Sequence, residues 1–287
     1  MDFALMFANT GPYVEGDHAI TLARAAEEAG FESLWTVEHV VVPAGYASEY
    51  PYDASGRMPG GDDAPIPDPL VWLTWVAAAT ERINLATGIL ILPQRNPVVL
   101  AKATATLDRM SGGRLRLGIG VGWLEEEFRA LGVPFEARGR RTDEYVDAMR
   151  TLWREPDPSF SGEFVNFTSA RMWPKPSQAD GIPIIIGGHT EAAARRAGRL
   201  GDGFFPGRTN PARLTELFEV MRKAAADAGR DPDAIELTGG GALDPEGIKA
   251  YADLGVSRII VPNLWYDPAT VRDGLMKFAD DVISKVP

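Results

Sequence analysis

Two neighbouring residues, Glu38-His39, directly follow the short apolar run Ser33-Leu34-Trp35-Thr36-Val37. A histidine titrates close to neutrality, so it can donate a proton or polarise a substrate carbonyl near pH 7. The same residue also reads as a ring hydrogen-bonded beneath the long loop that comes next. Glu38 orients this histidine or shares its protons, although adjacent residues on a strand point to opposite faces. A second group is Gly187-Gly188-His189-Thr190, ahead of an alanine-rich helical stretch. Free amides at a helix N-terminus attract an anion, and glycine lets a phosphate approach the backbone closely. Thr190 is a good N-cap, and its hydroxyl is also suited to a phosphate oxygen. An ordinary capped turn explains the same residues. Two more stretches, Thr87-Gly88-Ile89 and Gly120-Val121-Gly122-Trp123, offer little side-chain bulk and suit the close approach of something flat.

Chemistry of other kinds is poorly supplied. The chain has no cysteine, which removes thiol catalysis, disulfides and thiolate metal sites. No carboxylate cluster has metal spacing, and no lysine stands at a strand end, which disfavours a Schiff base. Gly118-Ile119-Gly120-Val121-Gly122 lacks the spacing of a dinucleotide fingerprint. Arg138-Gly139-Arg140-Arg141 and Arg195-Arg196 with Arg199 are local basic groups; they read as solvated or ion-paired, or as a guide for an anionic cofactor tail. The net charge of −11 argues against nucleic acid and anionic membrane as partners. No basic leader and no bilayer-length apolar run is seen, so a cytoplasmic protein is expected.

The elements that position these residues alternate in kind. Strands are predicted at Phe3–Ala8 (ending at Asn9), Ser33–Val37, Ile83–Leu90, Arg114–Gly120, Pro183–Ile186, Gly203–Phe205, Ile235–Thr238 and Arg258–Val261. Helices are predicted at Ala19–Ala29, Leu70–Thr80, Val98–Met110, Glu125–Leu131, Arg140–Leu152, Ala192–Leu200, Leu214–Ala228, Glu246–Leu254 and Val271–Ile283, with a hairpin-like piece near Gly162–Phe167. The length of 287 residues and this alternation predict one (β/α)8 TIM barrel with insertion loops at the C-terminal face of its strands, as a single domain. A doubly wound open sheet is the alternative. In a barrel, all the groups above fall at strand C-termini, where active sites lie. From Val40 to Pro69 no periodicity appears; the stretch is rich in Pro, Gly, Tyr and Asp and reads as an active-site lid, with Tyr46, Tyr50 and Tyr52 available to close over a substrate.

Leu34-Trp35-Thr36-Val37-Glu38-His39, Thr87-Gly88-Ile89-Leu90, Arg109-Met110-Ser111-Gly112-Gly113-Arg114, Gly118–Trp123, Trp173-Pro174-Lys175-Pro176 and Ile184–Gly188 together resemble the luciferase-like flavin and deazaflavin oxidoreductases. Within them the chain is most similar to the coenzyme F420-dependent class. The resemblance implies a dimeric barrel that holds F420, or FMN, at its strand ends. It implies that His39 lies beside the reactive ring. It also implies that Thr87, Gly88 and Ile89 back that ring, often through a non-prolyl cis peptide. Gly120, Gly122, Gly187, Gly188 and Thr190 would then follow the cofactor's chain and phosphate, and Val121 and His189, which stand within the same two stretches, are taken as cofactor-binding with them. The activity implied is hydride transfer to or from an activated C=C, C=O or C=N bond of a small molecule. FMN-dependent oxygenation and cofactor binding without turnover are the alternatives.

Overall fold

A computed structural model describes residues 1–207, 210–240 and 243–286. Nine strand segments form one sheet: β1 (Asp2–Met6), β2 (Ser33–Thr36), β3 (Asn84–Thr87), β4 (Leu90–Ile91), β5 (Leu115–Gly120), then, beyond a small hairpin of β6 (Phe160–Ser161) and β7 (Asn166–Phe167), β8 (Ile184–Gly187), β9 (Gly203–Phe205), β10 (Glu236–Gly240) and β11 (Arg258–Pro262). The pairings run around a closed circuit and are parallel throughout. β3 and β4 are one stave of the barrel, interrupted at a cis peptide between Gly88 and Ile89; both halves pair with β5. The expected third strand, Ile83–Leu90, is therefore present but broken where the resemblance places a cis bond. The closed circuit excludes the open-sheet alternative.

Helices α1 (Gly16–Glu28), α2 (Pro69–Ala77), α3 (Pro97–Met110), α4 (Glu125–Ala130), α5 (Arg138–Arg154), α6 (Glu191–Leu200), α7 (Pro211–Asp227), α8 (Pro245–Asp253) and α9 (Val271–Asp281) surround it. Their starts follow local chemistry. Asp68, Asn96, Thr190, Asn210 and Asp244 each accept a first-turn amide, and a proline opens α2, α3, α7 and α8. The barrel interior is filled rather than hollow. Ala4, Met6, Trp35, Ala86, Ile185, Phe205 and Ile260 pack across it, with the Trp35 and Phe205 rings edge to face at 5.3 Å. At the strand N-termini, Arg258 is fully buried and pairs with Glu32 and Glu236, which Arg116 also engages. This ionic floor closes the end of the barrel opposite the lid.

The lid, between β2 and α2, contains turns but no helix or strand. It is nevertheless tied down at several points. Tyr46 and Met58 are buried against Leu124, with Tyr50 and Trp123 packed alongside. Asn9 holds both ends, its amide donating to the Val37 and Pro67 carbonyls while its Oδ1 accepts the Val37 amide at 2.8 Å. The strand-end Asn9 is thus spent on the lid's two hinges.

Candidate active site

β2 delivers Glu38 and His39 to the barrel mouth, and the two side chains go to different partners. Glu38 is buried, accepting the Ile91 amide at 2.5 Å and two guanidinium donors of Arg95, which also reaches Asp68 at 2.8 Å. Burial pushes the Glu38 carboxyl up, against the pull of Arg95 and the Ile91 amide. Its oxygens do not meet His39. His39 instead places Nδ1 3.1 Å from Oε2 of Glu127, a residue with no exposed side-chain surface. The other Glu127 oxygen accepts the amides of Val40 at 2.6 Å and Val41 at 3.3 Å. The His39 ring stands edge to face with Trp123 at 5.7 Å and is 9 % exposed.

The sequence reading passes over Glu127 and Arg95. Glu125-Glu126-Glu127 at the start of α4 reads as ordinary complementation of the helix dipole. Only the turn after β5 reveals that two of these three carboxylates point back to the lid. Glu126 accepts the Ala47 amide at 2.7 Å, the Ser48 amide at 3.2 Å and the Ser48 hydroxyl at 2.7 Å. The hint available in the sequence is the position of the run, directly after Gly120–Trp123 and at the end of a barrel strand.

The glycine stretches meet around Ile89. A Cβ on Gly187 would lie 2.6 Å from Ile89 Cγ2, and one on Gly120 would strike Ile89 Cδ1. A Cβ on Gly122, where φ is +81°, would lie 2.7 Å from Phe128. These glycines therefore seat Ile89 and α4 as a packed backing, and Ile89 itself stays half-buried. Thr87 is buried with its hydroxyl donated to the Gly118 carbonyl at 2.6 Å, so it joins two staves and offers no hydroxyl to the mouth. Val121 is half-buried beside them.

At the next stave, Gly188 has φ +127° and donates its amide to the Phe205 carbonyl at 3.0 Å. Thr190 caps α6 through its hydroxyl on the Ala193 amide at 3.2 Å. The remaining first-turn amides of α6 have no intrahelical acceptor, as at any helix start. His189 Nδ1 is buried without a hydrogen-bond partner among the described residues, and its ring meets Tyr52 of the lid at 4.9 Å. Burial, assisted by Arg213, pushes the His189 pKa down. Tyr52, His189, Asn210 and Arg213 line an open cavity of about 440 Å³ here.

The basic groups correct one expectation. Arg140 pairs with Glu163, Arg195 with Glu191, and Arg196 and Arg199 both with Asp143. These charges are matched locally and are not aimed at a ligand tail. Arg141 is buried against the Pro134 and Glu136 carbonyls. Arg138 differs: it lies over the Phe135 ring at 3.7 Å and donates to the Gly122 carbonyl at 3.1 Å, beside the glycine stretch. Among the described residues no group of three or more His, Cys, Asp or Glu side chains is placed to hold a metal, and no helix is long and apolar enough to cross a membrane.

The sequence profile of the luciferase-like monooxygenase family matches residues 1–243. The chain belongs to the luciferase-like monooxygenase family. An uncharacterized protein of Mycobacterium tuberculosis is 33 % identical over 277 residues, covering 93 % of this chain and 95 % of its own. An F420-dependent glucose-6-phosphate dehydrogenase of Kineococcus radiotolerans is 34 % identical over 74 % of this chain and 59 % of its own. An FMNH2-dependent dimethylsulfone monooxygenase of Pseudomonas putida is 31 % identical, over 74 % and 54 %. The F420-dependent tetrahydromethanopterin reductase of Methanopyrus kandleri shares the fold, with a TM-score of 0.75 at 17 % identity, covering 99 % of this chain and 98 % of its own. The named luciferase-like relatives are thus oxidoreductases of two cofactor types.

Proposed function

We propose that this single-domain barrel is an F420-dependent oxidoreductase that moves a hydride between the deazaflavin and an activated C=C, C=O or C=N bond, or the corresponding alcohol, of a small molecule. The observation that carries the reading is His39: it stands at the barrel mouth under the lid with one ring nitrogen engaged and the opposite one turned the other way. The residues fit a flat, anionic cofactor. Ile89, seated by Gly120 and Gly187, offers an apolar bump against which a ring can lie. The start of α6 after Gly188, His189 and Thr190 offers first-turn amides for a phosphate, with Gly188 leaving room beside them. Arg138, stacked beside Gly122, suits the anionic tail that F420 carries and FMN lacks.

When bound, reduced F420 supplies the hydride. The chain's own residues do the rest. His39 donates the accompanying proton to the substrate heteroatom or carbon, or takes it up in the reverse direction. Trp123, Tyr46 and Tyr50 form an aromatic wall on the lid side that keeps water away. Glu38, fully engaged by Arg95 and the Ile91 amide, supports the turn after Gly88–Ile89 rather than exchanging protons. The second reading, an FMN-dependent monooxygenase, draws on the Pseudomonas relative. An anaerobic assay separates the two: F420H2 oxidation by enones, ketones or imines should proceed without oxygen, whereas turnover that needs FMNH2 and oxygen would favour oxygenation. A homodimer is part of the proposal. Val71 and Trp75 share one face of α2, and with Val99 on the neighbouring α3 they remain 70, 53 and 67 % exposed, apolar side chains that a second copy would cover.

A further inference from the structure

We infer that Glu127 is a positioning residue that fixes His39 in one tautomer, with the proton on Nδ1 and Nε2 left as the working nitrogen. Glu127 has no exposed side-chain surface, so its oxygens need partners. Oε1 receives the amides of Val40 and Val41, the two residues that follow His39. Oε2 faces His39 Nδ1 at 3.1 Å. An ionised carboxylate only accepts hydrogen bonds, so a neutral imidazole at this distance must carry its proton on Nδ1. Nε2, across the ring, is then the unprotonated nitrogen of the neutral form and the site at which a proton arrives or leaves. The same carboxylate grips the backbone just past the histidine, so ring and main chain are oriented by one group.

The position in the chain makes this more than a local tie. Glu127 is carried by α4, which follows β5 and Trp123 directly, and Trp123 packs on His39, Tyr46 and Tyr50. The neighbouring Glu126 holds the lid at Ala47 and Ser48. One short helix thus sets the proton carrier and the loop above it with two consecutive side chains. Glu38, next to His39 in sequence and the natural candidate for this role, is occupied by Arg95.

Glu127→Gln tests the inference with little change of shape. The two backbone donors at Val40 and Val41 hold the amide oxygen on their side, so the amide NH2 must face Nδ1. That nitrogen then has to accept, and the tautomer switches to Nε2–H. The inference rests on the reading of His39 as the proton carrier, and two separate readouts keep them apart. The first is imidazole ¹⁵N NMR on histidine-labelled protein above the histidine titration range. The chain has only three histidines, so His39 is assigned by comparison with its own Asn variant. The native protein should show His39 as the Nδ1–H tautomer, and Glu127→Gln as the Nε2–H tautomer. The native spectrum decides even if the variant folds poorly: rapid averaging between tautomers, or Nε2–H, overturns the inference. So does a Glu127→Gln variant that keeps Nδ1–H. The second readout is turnover. With His39 as the proton carrier, kcat should fall by about 10²–10⁴, the range seen for misassigned tautomers and lost acid–base groups, with KM nearly unchanged. A tautomer switch with full turnover upholds the Glu127 assignment and removes His39 from the chemistry.

Discussion

His39 and Glu38 occupy adjacent positions and live in different electrostatic worlds, and the difference decides which can move a proton. Glu38 is locked between a guanidinium and an amide. His39 has an aromatic neighbour and one carboxylate at its Nδ1 edge. His39→Ala should therefore leave cofactor affinity nearly unchanged and lower kcat by about 10²–10⁴, measured by steady-state F420H2 oxidation. Equal turnover across the pH range would exclude it. Glu38→Gln should act through stability, lowering the melting temperature with little change in the pH profile, since the half-buried Arg95 would keep Asp68 but lose the charge of its buried partner. The placement of His39 at the mouth was legible in the sequence because it directly follows a strand of a barrel, whose strand ends face that side. Glu127 was not, because its partner lies 88 residues away and only the turn after β5 brings them together.

At the scale of elements, the lid and α4 behave as one unit. The aperiodic composition of Val40–Pro69 announced a loop; what it did not announce is how firmly that loop is anchored, since its ties run to Asn9, Arg95 and α4 and leave no periodic trace. The Ser48 hydroxyl, with the Ala47 and Ser48 amides, holds the Glu126 carboxyl at about 2, so this latch stays charged in all but strong acid. Glu126→Ala removes three hydrogen bonds from the lid. At net values of about 0.5–1.5 kcal/mol for a typical hydrogen bond, the open lid should gain enough population to raise KM by roughly tenfold. Cofactor Kd should stay within about twofold, because none of these bonds touches the glycine stretches. A matching loss of cofactor affinity would mean that the lid belongs to the cofactor site. The glycines show the limits of reading an element by its composition. They do mark the mouth, but Gly120 and Gly187 are small in order to admit Ile89, and nothing in the sequence ties Ile89, named there with Thr87 and Gly88, to those two distant glycines.

The whole molecule is a barrel with an ionic floor at one end and the lid at the other. Its alternation of strands and helices was readable from hydrophobic runs and glycine stops, because each buried parallel strand is apolar on both faces. The floor was not readable: Arg258, Glu32, Glu236 and Arg116 lie far apart in sequence and look like surface charges until the barrel closes. Burial alone would raise the Glu32 carboxyl, but Arg258, with Ser33 and Arg116, overrides it and holds the carboxyl below the usual range. The unfolded chain therefore takes up this proton first. The contribution to stability is complete above the ordinary glutamate pKa of about 4.3 and is lost as pH falls through the depressed folded value. Arg258→Leu should cost about 3 kcal/mol by leaving two carboxylates with Arg116 as their remaining partner, and its acid-side loss of stability should be shallower than that of the native protein in denaturant melts across pH.

The central claim is that the mouth of this barrel takes F420. Parallel titrations of F420 and FMN, followed by tryptophan fluorescence with Trp123 and Trp35 near the site, test it most directly. Tighter binding of F420 is predicted, with an advantage that shrinks as ionic strength rises and is reduced in Arg138→Ala, because the longer anionic tail gains from that guanidinium. Gly188→Val should weaken both ligands, since Gly188 sits at φ +127° with Ala193 close behind it. Micromolar binding of FMN with no detectable binding of F420 would contradict the account.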